Sequence, residues 1–173
     1  LVSIQAEDVS GQPVALVKQD KQTWVCLPTD RALRIAYQVY ALDLSVRAAH
    51  LDSTHAYFNG ASLLLSVDGL ADDPCRLDLL LPDEDACRHW RVATSMRPLA
   101  VDTSGLGSYQ ADSYQDLIDH PVEMGDFRLM AFALAGIPHR VALTGSRWID
   151  EDRLTGDLAK VCAEHAALFG ELP

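Results

Sequence analysis

Residues 112 to 127 read DSYQDLIDHPVEMGDF, five carboxylates and a histidine interleaved with regularly spaced apolar residues. Those residue types can exchange protons or hold a metal ion. Their spacing points first to a helix end. On a helix beginning near Ser113, Leu117 and Ile118 face inward while Gln115, Asp116 and Asp119 stay in water. Asp112 is expected as the N-cap, with Gln115 at the third helical position completing a capping box. Pro121 ends the helix, because the residue before a proline disfavours helical backbone. Pro121 also keeps His120 and Glu123 off one continuous helix face, so no zinc pair is expected there. Gly125, directly after Glu123 and Met124, marks a backbone that bends or comes close to something.

The other histidines are His50, His55, His89, His139 and His165. There is no HExxH, and no two histidines four apart with a glutamate beside the first. His50 and His55 are separated by LDST, which suits a loop better than a metal-binding helix face. His165 falls on the apolar stripe of the last helix and is expected to be a hydrogen-bonded core residue. The run Ser104 to Ser108 is glycine-rich but lacks the lysine of a P-loop and the spacing of GxGxxG, and is read as a flexible linker. No GxSxG elbow is present. The residues compose no complete catalytic constellation and no metal set. Cys26, Cys75, Cys87 and Cys162 form no CxxC. They are read as mostly buried, reduced thiols, which favours a cytoplasmic location, although an even count leaves disulfides open.

These side chains need a scaffold, and the composition supplies one. Of 173 residues, 49% are hydrophobic, enough for a real core, and a net charge of -11 disfavours nucleic acid or an anionic membrane as partner. No apolar run approaches the roughly 20 residues of a bilayer span. The first hundred residues read as strands: LVSIQAED, PVALVKQ and TWVCLP, then a long strand over RALRIAYQVYALDLSVRAA, where alternation outweighs its helix-forming residues. ASLLLSVDG, CRLDLLLP and HWRVATSM continue the pattern. Strands this frequent with no helices between them predict an antiparallel sandwich. A boundary is placed at the Gly- and Ser-rich stretch near 102 to 109, giving a β domain over 1–104 and an α+β segment over 105–173. In that segment two strands, DFRLMAFAL and HRVALTGS, follow the short helix. A final helix runs from about 150 to 169, with Leu158 and Val161 buried and Gly170 as its cap.

Five stretches in order, YQVYALDLSVRAAHLDSTHAYFNGASLLL, HWRVATSM, ADSYQDLIDHPVEMGDF, GIPHRVALTG and FGELP, together resemble the glycyl aminopeptidase family of zinc metallopeptidases. These are gluzincin-type enzymes that often carry a PDZ domain. The resemblance runs over essentially the whole chain and is most specific at Asp43 to Arg47, Tyr57 to Gly60 and Asp119 to Gly125. His120 departs from it, standing where a small residue is expected.

The resemblance implies an N-terminal β domain, lacking its first strands, and the opening of a thermolysin-like catalytic domain, truncated before HExxH. The lack of an initial methionine fits a piece of a longer protein. On this reading the chain is non-catalytic scaffold and part of the substrate cleft, with a peptide as substrate and zinc as the cofactor of the intact protein. It carries no catalytic residue, metal ligand or cofactor of its own. Glu123, Met124 and Gly125 are the cleft candidates, and two readings of Glu123 stand: a functional carboxylate, or one satisfied by backbone amides at a turn. The alternative is a stand-alone β-sandwich binding module related to these peptidases. The isolated chain is expected to expose an apolar face in its C-terminal half and to self-associate as a homo-oligomer.

Overall fold

The computed structural model describes residues 1–27, 31–82, 85–145 and 148–170. It divides into two compact units, Leu1–Leu42 and Asp43–Pro173.

The first unit holds β1 (Ser3–Asp8), β2 (Pro13–Val14), β3 (Leu16–Lys18), β4 (Trp24–Cys26) and β5 (Leu33–Gln38). β1 lies between β2 and β5, antiparallel to both, while β3 and β4 form a separate hairpin. Among its described residues only Ala6 and Asp8 are buried. Asp8 tolerates that because its Oδ1 accepts from the Ser10 hydroxyl, the Ser10 amide and the Gln12 amide. Those bonds, led by the Ser10 hydroxyl, lower its pKa to about 2. The long strand expected from residue 33 onward stops at Gln38. There the ladder reaches Ser3, the first residue of β1, and further pairing partners run out. Leu42, Leu44 and Val46 beyond it are exposed.

The second unit continues with β6 (Ala49–Leu51), β7 (His55–Phe58), α1 (Gly60–Leu63), β8 (Cys75–Leu79) and a 3-10 turn at Asp85–Cys87. Then come β9 (Arg91–Ala93), β10 (Arg97–Val101), β11 (Gly107–Ala111), α2 (Tyr114–Ile118), β12 (Val122–Gly125), β13 (Arg128–Leu134), β14 (Ile137–Leu143) and α3 (Glu151–Phe169). Two sheets run in the orders β6-β7-β12-β9 and β10-β11-β8, and β13 pairs with β14. Every ladder in the described residues is antiparallel, so the protein is mainly β, with its long helix at the end. The core of this unit gathers Phe58, Leu79, Trp90, Met96, Tyr109, Leu117, Val122, Met124, Phe127 and Met130.

Several elements differ from the sequence reading. ASLLLSVDG opens as the single helical turn α1, because the Asn59 side chain caps it by accepting from the Ala61 amide. The cap of α2 is Ser113, not Asp112: its hydroxyl accepts from the Asp116 amide, while the Asp112 amide donates to Asp116 Oδ2. The stretch read as a linker is a tight hairpin turn. Asp102 Oδ1 accepts from the Ser104 amide and hydroxyl and from the Leu106 amide. Gly107 is required there, since at φ 130° a Cβ would lie 2.2 Å from the Ala100 carbonyl oxygen. β11 then pairs with β8, so hydrogen bonds run across residue 104, and the division between units lies at Leu42.

The expected C-terminal strands form, joined by Ala135 and Gly136 at φ 49° and 83°, which suits a two-residue hairpin turn. α3 runs as expected from its Asp150 cap to Gly170. Its face is less buried than expected. Leu158 is half-buried, Val161 is 51% exposed and His165 is exposed, because α3 packs principally on β13.

Candidate functional site

The four-stranded sheet sorts its side chains by strand alternation. Residues directly opposite one another share a face, as do residues two apart along a strand. One row runs His50↔Tyr57↔Glu123↔Ala93 across β6, β7, β12 and β9, and the pair His55↔Gly125 lies on that same face. The intervening rows, Ala49↔Phe58↔Val122 and Leu51↔Ala56↔Met124↔Val92, carry apolar residues on the opposite face. Val122 is fully buried and Met124 is 7% exposed. Of the three cleft candidates, Glu123 and Gly125 therefore belong to the polar face and Met124 to the core.

Gly125 is bent as its sequence context suggested. At φ 152°, a Cβ there would lie 2.9 Å from the His55 Cβ, so only glycine lets β7 and β12 approach at this pair. The imidazole of His55 reaches diagonally to Glu123, with Nδ1 3.2 Å from Oε1. Opposite a carboxylate that nitrogen donates, which leaves Nε2 unprotonated in the neutral ring. The Thr144 hydroxyl, just past β14, donates to the same Oε1 at 2.6 Å. Glu123 is thus held by side chains from two other elements rather than by backbone amides.

The turn between β6 and β7 brings in two more groups. Asp52 Oδ1 accepts from the Thr54 hydroxyl, the Thr54 amide and the His55 amide, an Asx turn that closes the hairpin. Its other oxygen, Oδ2, meets His50 Nε2 at 3.1 Å. These bonds, the Thr54 hydroxyl first, hold the Asp52 carboxyl well below the usual carboxylate range. His50 is buried, its Nδ1 has no hydrogen-bond partner, and its ring stacks on that of His55 with centroids 4.7 Å apart. One donor atom from each of His50, Asp52 and His55 lies within 4.8 Å of the others.

Separate elements do carry His89, His120, His139 and His165, but His50 and His55 come together on one face. Five residues apart, they would point oppositely on a straight strand; the hairpin reverses that. The Asx-turn residues Asp52 and Thr54 were the available sequence signal. Nothing in the sequence tied Thr144 to Glu123. His120 joins Ser95 Oγ at 2.8 Å and Asp116 Oδ1 at 3.3 Å, tying the end of α2 to the turn after β9.

The arrangement offers a partly shielded carboxylate and two imidazoles on one sheet face, without the HExxH set of a gluzincin zinc. Such a set can position or bind a charged group.

Among solved structures, an aminopeptidase N family protein from Idiomarina loihiensis superposes with a TM-score of 0.88 at 37% sequence identity. The match covers 99% of this chain and 29% of that one, so the chain spans less than a third of its structural relative. No curated protein matches. The model of the peptidase M61 N-terminal domain matches residues 1–126, and the chain belongs to that family. It is therefore a metallopeptidase-related N-terminal domain. Among the described residues, no helix is long and apolar enough to cross a membrane.

Proposed function

We propose that this chain is the non-catalytic N-terminal portion of a zinc-dependent aminopeptidase, contributing scaffold and part of the substrate cleft. The observation that carries the proposal is the likeness to the Idiomarina loihiensis protein over 99% of this chain at 37% identity. The chain lacks HExxH, so it does not fit the zinc of such an enzyme, and no hydrolytic step is assigned to its residues.

Within that reading Glu123 is the residue with a duty in the cleft. Its side chain is 18% exposed, and His55 and Thr144 both bind Oε1. A carboxylate fixed through one oxygen presents the other in a set direction, which suits an ammonium group of a peptide. Gly125 keeps the neighbouring backbone close, and Met124 anchors the strand from behind. The exposed apolar residues of the C-terminal segment, Trp148, Val161, Leu168 and Phe169, would meet the catalytic segments in the parent and another copy in isolation. A cytoplasmic location completes the proposal.

The parent reading frame supplies the first test: an HExxH downstream of Pro173 supports the proposal, and a frame without one overturns it. In the intact protein, Glu123→Gln is then expected to lower kcat/KM on peptide substrates by about tenfold, roughly 1.4 kcal/mol of transition-state binding.

A further inference from the structure

The hairpin of β6 and β7 carries a second message, independent of the peptidase reading. We propose that His50, Asp52 and His55 form a binding site for a divalent late first-row cation, with Zn²⁺ as its representative.

The donor set comes first. Two imidazoles and a carboxylate are ligands that zinc accepts, and all three are supplied by one turn of chain. In a tetrahedral site with bonds of about 2.0 Å, ligand atoms stand roughly 3.3 Å apart. His50 Nε2 and Asp52 Oδ2 are already 3.1 Å apart. The widest separation in the set, 4.8 Å, closes to that edge by a shift of about 1.5 Å, within the reach of side-chain rotation on a short hairpin.

His50 supplies the second observation. It is 7% exposed, and its Nδ1 is the described buried side-chain polar atom left without a hydrogen-bond partner. Buried polar atoms are nearly always satisfied, so the ring is not anchored through Nδ1, and Nε2, the nitrogen that faces Asp52 Oδ2, is the one it can turn onto a cation.

The outer contacts are those of a metal-ready hairpin. His55 donates Nδ1–H to Glu123, which fixes its tautomer and leaves Nε2 as the ligand nitrogen. Glu123 is itself anchored by Thr144. Asp52 Oδ1 is consumed by the turn, leaving Oδ2 to complete the set. With Asp52 40% exposed, the site opens to solvent, which gives a cation a path in and leaves room for water as the remaining ligand.

The test is a calorimetric titration of the metal-stripped 173-residue chain with Zn²⁺ at about pH 7, where imidazoles are available as ligands. Imidazole ¹⁵N resonances are followed alongside. One zinc per chain is expected, moving the resonances of His50 and His55 and leaving those of His89, His139 and His165 in place. Asp52→Asn keeps an acceptor for the turn, and His55→Gln keeps a donor to Glu123, so both should fold, as circular dichroism would verify. Each is expected to weaken zinc binding about tenfold or more, while His139→Ala binds as the unaltered chain does. No uptake at micromolar zinc, uptake undiminished by both variants, or resonance changes at other histidines would overturn the proposal.

Discussion

The two faces of one four-stranded sheet differ in kind. One face buries Val122, Met124, Phe58 and Ala49, and the other carries His50, His55, Tyr57 and Glu123, although the residues alternate along the same short strands. On the apolar face stability comes from area removed from water, and each side chain is exchangeable for another of similar volume. On the polar face it comes from specific bonds with fixed partners, where exchanging one group orphans the next. The same backbone thus holds a tolerant layer and an intolerant one, and only the intolerant layer has chemistry to offer.

Substitutions should separate the two faces by size. Met124→Ala removes a fully packed side chain and is expected to cost about 2–5 kcal/mol in urea unfolding, with Met124→Leu nearly neutral. A neutral Met124→Ala would break the comparison. Gly125→Ala acts between the faces: it forces a Cβ against His55 and an unfavourable backbone angle, for an expected loss of about 1–3 kcal/mol. Glu123→Ala leaves both His55 and the Thr144 hydroxyl without their partner, and about 1–3 kcal/mol should be lost. Unlike Met124→Leu, the near-isosteric Glu123→Gln should still be measurably destabilising, because the charge-assisted bond to His55 goes with it.

Acid sharpens the contrast further. Hydrogen bonds from Thr54, His50 and His55 lower the folded-state pKa of Asp52, so the hairpin favours the ionised form. Its contribution is present in full above the unfolded carboxylate pKa of about 4 and is lost as pH falls below it. Stability to urea should therefore fall on acidification from about pH 5 to 2, and Asp52→Asn should flatten that response. The smallest effect is expected on α3. Leu168→Asp, at a side chain 76% exposed, should change stability by no more than about 0.5 kcal/mol while reducing self-association in sedimentation.

Much of this protein was legible residue by residue. The alternation in SIQAED, CRLDL and RVA gave strands, Asp150 and Gly170 bracketed the last helix, and Gly125 announced a close approach. Local rules are sufficient for such features because caps, turns and periodicity act within a few residues. Three local signals pointed elsewhere, at the Ser113 cap, the Asn59-capped turn and the Asp102 hairpin, while the larger differences lie where partners are far along the chain. Residues 39–48 alternate as a strand should, yet few pairing partners reach them. Val161 has helical periodicity, yet it meets little that would bury it.

What the sequence determined by itself was the class of protein and the identity of its polar groups: mainly antiparallel β, no HExxH, and a carboxylate at 123 beside a glycine that must bend. The tertiary structure decided which of those groups meet. His55 and Glu123 are 68 residues apart in the chain, and Thr144 lies a further 21 beyond Glu123. Their encounter depends on the register of β7 against β12 and on where β14 ends. Register follows from burying one whole face of the sheet at once, a global choice that a one-residue slip would invert.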